Sequence, residues 1–182
     1  MARLFVAIVP PGPVRAELSA LATPLPGVRW TPAENLHLTL RFIGDADGDK
    51  QARLEAALAR VRVEPFILPV GGVGVFPTRG PAKVLWAGTG RSHTRLYQLR
   101  KQVDEALLAV DSALDVHSFH PHFTLGRLGP DGEAKRLAGF LERSARFEGP
   151  PFRVEEFRLM ASALAPGRAP VYATVRTFPL AK

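Results

Sequence analysis

The sequence predicts an α+β fold of two lobes related by a pseudo-twofold, each with a mostly antiparallel sheet and flanking helices, and with a cleft between the sheets. Three observations carry this. A His-x-Thr-Leu segment occurs twice, as His37-Leu-Thr39-Leu and His122-Phe-Thr124-Leu. Each copy is followed by a helical pattern and then by extended runs at matching distances: Phe66 and Trp86 lie 29 and 49 residues after His37, Phe152 and Tyr172 30 and 50 after His122. No stretch reads as a flexible linker, so the 182 residues are expected to form one bilobal domain with motif halves of about 28–90 and 115–180.

The elements follow from pattern and punctuation. Arg3 to Val9 is a short apolar strand stopped by Pro10-Pro-Gly-Pro13. Val14, Leu18 and Leu21 then recur at helical spacing, with Pro13 tolerated in the first turn and Pro24-Leu-Pro-Gly27 as the stop. Val28-Arg-Trp30 and Leu36 to Ile43 read as extended, and Gly44-Asp-Ala-Asp-Gly48 leads out of the second. Asp49 to Val61 is amphipathic, with Leu54, Ala57, Leu58 and Val61 on one side. Phe66 to Phe76 and Lys83 to Ala87 form a hairpin around Pro77-Thr-Arg-Gly-Pro81, bulged near Gly71-Gly-Val-Gly74. Ser92 caps a long helix bearing Leu96, Leu99, Val103, Leu107 and Leu108, with His93 as a surface residue in its first turn. The second His-x-Thr strand, a helix from about Glu133 to Ala145, and strands at about Phe152 to Leu164 and Val171 to Phe178 complete the chain.

Composition narrows the chemistry. No run approaches the roughly 18 apolar residues of a membrane span, and the chain enters a strand directly after Met1, so a soluble cytoplasmic protein is expected. The absence of cysteine removes disulfides, thiolate nucleophiles and thiolate zinc sites. A net charge of +7 and a pI of about 10.5 favour a polyanionic partner, although the arginines that dominate this charge are scattered rather than gathered in one arm.

On an extended strand, side chains two apart share a face, so each motif sets an imidazole beside a hydroxyl. Imidazole near its usual pKa can give or take a proton at neutral pH. Displacement at phosphorus needs a base on the attacking oxygen and an acid on the opposite, leaving oxygen, and two histidines on facing walls supply both. Thr39 and Thr124 would hold the non-bridging oxygens, and no metal or other cofactor is required. One such motif alone would be an ordinary strand histidine and threonine; the doubling in matching halves points to function.

These residues resemble the 2H phosphoesterase superfamily, and most closely its RNA 2′,3′-cyclic phosphodiesterases, the LigT-like or 2′-5′ RNA ligase family. The resemblance rests on Arg3-Leu-Phe-Val-Ala-Ile8, on Asn35-Leu-His37-Leu-Thr39-Leu-x-Phe42-x-Gly44, on Pro121-His122-x-Thr124-Leu-x-Arg127 and on the closing Tyr172 to Leu180. It implies metal-independent opening of a terminal RNA 2′,3′-cyclic phosphate to a 2′-phosphate, with reversible 2′-5′ ligation in some members. Carried onto this chain, His37 would be the general acid and His122 the general base, the reverse assignment staying open. Thr39, Thr124 and Arg127 would bind phosphate.

Other positions carry competing readings. Strand parity from His37 puts Arg41 on the motif face as a candidate phosphate or backbone contact, against a solvated strand charge. Arg127 is out of parity with His122 and reaches the site only if the strand bends near Gly126. Phe42 and Tyr172 are candidate base-stacking contacts, with core burial the alternative for Phe42. His117 and His120 form an incomplete metal-ligand pattern, and no metal is expected. The expected partners are RNA with 2′,3′-cyclic phosphate ends and cyclic nucleotides, bound by a monomer away from membranes. The competing classes are a non-catalytic RNA-end or nucleotide-binding module, and a 2H enzyme for another small cyclic phosphate such as a cyclic ADP-ribose phosphate.

Overall fold

Alternation in the first strand separates the two faces of the main sheet. In β1 (Ala2–Ile8), Leu4, Val6 and Ile8 enter the large apolar core, while Phe5 and Ala7 enter a smaller cluster with Met160 on the opposite face. The computed structural model describes residues 2–90, 94–112, 118–129, 134–163 and 170–182. The core face is covered by α1 (Gly12–Ala20), α2 (Gly48–Leu58), α3 (Thr94–Leu108) and α4 (Ala134–Ser144), which contribute Val14 and Leu18, Leu54 and Leu58, the Leu96-to-Leu107 stripe, and Phe140. The side chain of Asp47 caps α2 by accepting from the Lys50 N–H at 2.8 Å. Ser92 and His93 lie outside the described residues, as does the start of α4 expected at Glu133.

The remaining strands are β2 (Val28–Trp30), β3 (Leu38–Ala46), β4 (Phe66–Gly71), β5 (Val73–Phe76), β6 (Val84–Gly88), β7 (His122–Leu128), β8 (Glu148–Val154), β9 (Glu156–Ala163) and β10 (Val171–Pro179), with a 3-10 turn at Ala33–Asn35. The antiparallel main sheet runs β10-β9-β1-β3-β7-β6-β5, with β2 also on β7. The predicted α+β, two-lobed antiparallel architecture is what the structure has. Four strands lie on each side of a seam where β3 and β7 meet through one pair, Leu38 with Phe123.

Two details differ from expectation. The run from Phe66 to Phe76 is two strands in two sheets, because Gly72 at φ +75° turns the chain: β4 leaves to pair with β8, and β5 stays in the main sheet. The run from Phe152 divides likewise at Glu155 into β8 and β9. The sequence halves also exchange hairpins. The hairpin of the first half, β5-β6, flanks the second motif strand β7, and that of the second half, β9-β10, joins the first motif strand through β1.

Candidate active site

The seam brings the two motifs together. Leu38 and Phe123, both wholly buried, face the core. Their strand neighbours His37, Thr39, His122 and Thr124 are half-buried and, by alternation, emerge on the opposite face. One step either side of the single antiparallel pair, the register places His37 opposite Thr124 and Thr39 opposite His122, so each histidine lies across the seam from the other motif's threonine.

Both imidazoles are fixed in the same way. His37 Nδ1 lies 2.7 Å from the carbonyl oxygen of Asn35, and His122 Nδ1 lies 2.6 Å from that of His120. A carbonyl only accepts, so each Nδ1 carries the proton and donates, leaving Nε2 as the basic nitrogen of the neutral ring. Rings hold them from the side. Phe5 and Tyr172 lie 5.0 Å from His37, Tyr172 edge-on, and Phe76 sits edge-on to His122 at 5.1 Å. Sequence reasoning had not picked out Phe5 or Phe76. The signal for Phe5 was its alternation with Leu4 and Val6, and Phe76 carried none, because its strand crosses to the other half's motif.

Burial is the main cause holding both histidines below their ordinary value of 6.5. The positive charge of Arg127 pushes both the same way, as do His122 on His37 and His120 on His122, while the bonds to backbone carbonyls oppose the shift. Burial raises the Tyr172 phenol, with Arg127 opposing, so its hydroxyl stays a donor. Arg127 is thus felt at His37, His122 and Tyr172 despite being out of parity.

A matched pair of β-bulges explains this. Val6 pairs with Arg41 and Ala7 with Thr39, leaving Leu40 over; Leu85 pairs with Gly126 and Trp86 with Thr124, leaving Leu125 over. Each extra residue lies three after its histidine, and it flips the residues just beyond it to the other face, on β3 as far as a second irregularity at Ile43. The residue five after each histidine therefore joins the motif face: Arg127 on one wall and Phe42 on the other. Phe42 pairs with Phe5, sits 6.1 Å from its ring and is 70% exposed, so core burial is not its place.

The same bulge overturns the expectation for Arg41. It is 3% exposed beneath α3, with Nε 3.5 Å from Asp104, and does not face the site. Parity failed there because Leu40 adds a residue between it and Thr39. The bulged carbonyls are both satisfied. Arg100 Nη1 donates to Leu40 O, and the Thr31 N–H donates to Leu125 O at 2.8 Å. Arg100 also binds Asp104 at 2.6 Å and lies 5.1 Å from the Phe119 ring just ahead of β7, so one guanidinium touches both sides of the seam.

Among the described residues no three His, Asp or Glu side chains converge as a metal site. The His117 half of the His117/His120 pattern lies outside them. No described helix is long and apolar enough to cross a membrane.

Fold and paired motifs together define a two-histidine phosphoesterase. The sequence matches the family described as LigT like Phosphoesterase over residues 8–86 and 91–171, and the chain belongs to that family. It is 32% identical over 179 residues to the Archaeoglobus fulgidus RNA 2′,3′-cyclic phosphodiesterase, covering 97% of this chain and 99% of that one. It is 30% identical to the Escherichia coli RNA 2′,3′-cyclic phosphodiesterase, over 91% of this chain and 90% of that one. The crystal structure of E. coli LigT complexed with 3′-AMP superposes with a TM-score of 0.79 at 28% identity, covering 100% of this chain and 99% of the other.

Proposed function

We propose that the protein hydrolyses terminal 2′,3′-cyclic phosphates of RNA to 2′-phosphates, by acid–base catalysis between His122 and His37. The observation that carries this reading is the pair of imidazoles, each with Nδ1 committed to a backbone carbonyl and Nε2 left basic, on strands that meet at the seam. Relatives named RNA 2′,3′-cyclic phosphodiesterase, and the 3′-AMP complex of the LigT neighbour, support the substrate class.

His122 Nε2 takes a proton from water as its oxygen attacks phosphorus. The bond from phosphorus to the 3′-oxygen breaks, and that oxygen receives the proton on His37 Nε2. The phosphate stays on the 2′-oxygen. Thr39 and Thr124 hydroxyls and the Arg127 guanidinium hold the non-bridging oxygens as charge builds on them. Tyr172 and the exposed Phe42 offer ring faces to the terminal nucleoside. If an RNA 5′-hydroxyl replaces water, the same steps form a 2′-5′ bond, and their reversal cleaves it. One copy carries both histidines, so a monomer suffices for the reaction, and the reading is of a monomer that acts on RNA in the cytoplasm.

The test is an RNA oligonucleotide ending in a 2′,3′-cyclic phosphate, incubated in excess EDTA, with the product's terminal phosphate identified. A 2′-phosphate is expected, and His37→Ala and His122→Ala should each lower turnover on the order of a hundredfold or more. Unchanged turnover in both variants would refute the assignment, and tight binding without hydrolysis would make this a binding module.

A further inference from the structure

Beside His37, on the side away from β7, the site face continues into a cavity of about 390 Å3. Its walls come from the chain leaving β1, the 3-10 turn, the β8-β9 junction and β10, and no residue of β5, β6 or β7 lines it. Most of its polar groups are committed. Arg158 is paired with Glu156 at 2.6 Å, Arg153 with Glu155 at 3.2 Å, and Asn35 Nδ2 donates to Pro170 O at 2.8 Å. Glu34, the remaining carboxylate of the lining, is exposed to water.

Arg15, reaching in from α1, is different. Its Nε is buried and has no hydrogen-bond partner, and no ion pair holds its guanidinium among the described residues. A donor stripped of water without an acceptor is unfavourable until an acceptor arrives, and phosphate oxygens match a guanidinium in both charge and geometry. In the proposed reaction the 3′-oxygen of the ribose takes its proton from His37 while the 2′-oxygen keeps the phosphate, so the ribose and the RNA leading up to it lie against the His37 wall, where this cavity opens. A volume of this size suits one nucleotide unit.

We infer that this cavity is a subsite for the nucleotide on the 5′ side of the reacting one, with Arg15 binding the phosphodiester that joins the two. It rests on the proposed activity and deepens it: the preferred substrate is an RNA end, not a cyclic mononucleotide.

The experiment compares 2′,3′-cyclic AMP with the dinucleotide ApA bearing a terminal 2′,3′-cyclic phosphate, using wild type, Arg15→Ala, Arg15→Gln and Arg15→Lys. Wild type should favour the dinucleotide in kcat/KM by about tenfold, as one charged hydrogen-bonding contact provides. Arg15→Ala and Arg15→Gln should lose that preference, chiefly through KM, and Arg15→Lys should keep part of it. Equal losses on both substrates, or none on either, overturn the subsite while leaving the activity standing. Wild type that turns over neither substrate overturns the activity itself, and the subsite with it. Thermal melts identify any variant that fails to fold, and Arg15→Gln, close in length to arginine, then decides.

Discussion

His37 and His122 owe their working form to one repeated contact, the Nδ1 donation to the carbonyl two residues back, and this sets the pH behaviour. The acid must be protonated and the base neutral, and both residues titrate below 6.5 in the free protein, mainly through burial. The bell-shaped profile of kcat/KM should therefore peak below pH 6.5, and a maximum at or above pH 7 would contradict the pairing. Arg127→Met removes a cation that disfavours both imidazolium forms. Its profile should shift to higher pH while its height falls about tenfold, from loss of a charged phosphate contact. The two histidines and two threonines were legible because a two-residue period is all they need. Arg127 was legible only through the resemblance and the bend allowed by Gly126 beside the bulged Leu125. The faces of Arg41 and Phe42 were not legible by parity, since the bulge before them falls on Leu40, which carries no turn or glycine signal and depends on a partner strand distant in sequence.

The strands carry the site only because something holds those bulges. On β7 the bulged carbonyl is taken by backbone, the Thr31 N–H, and a Cβ on the next residue, Gly126, would meet Val28 Cγ1 at 3.0 Å and Arg29 O at 3.1 Å, so β2 lies hard against the bend. On β3 the corresponding carbonyl depends on a side chain, Arg100, oriented by Asp104. Arg100→Met strands the Leu40 carbonyl and leaves the partly buried Asp104 carboxylate with Arg41 alone, a loss of about 2 kcal/mol in stability. At temperatures where the variant is folded, kcat should fall about tenfold as the bulge at Leu40 relaxes, Phe42 leaves the face that His37 and Thr39 share, and the strand that carries them shifts. Arg100→Lys, or added guanidinium with Arg100→Met, should restore part of it; a uniform stability loss with an unchanged kcat would show that Arg100 does no positioning. The helices were legible from their apolar stripes, and β4 and β8 were not, because separation at Gly72 and Glu155 places them in a sheet no local pattern announces.

Across the whole molecule, neither motif half closes a sheet with its own strands, because each hairpin completes the other's wall. A chain divided after residue 112 should give two fragments that each lack a cooperative melt by circular dichroism, and whose mixture regains both the melt and turnover. Independent melting of either fragment would show that the halves are self-sufficient. The matched spacing of the motifs foretold a twofold repeat, yet nothing local in β5-β6 or β9-β10 says which motif strand it will join. The exchange also governs how the protein reaches its native state. β1 is central, and one of its two neighbours is β9, with Arg3 beside Ser162 and Ala7 beside Arg158. Closing so long a loop defers much of the favourable contact energy, which makes a slow, late-committing folding reaction in which β1 waits with an open edge. That waiting edge, more than any weakness of the finished core, is where crowding and chaperones would act on this chain.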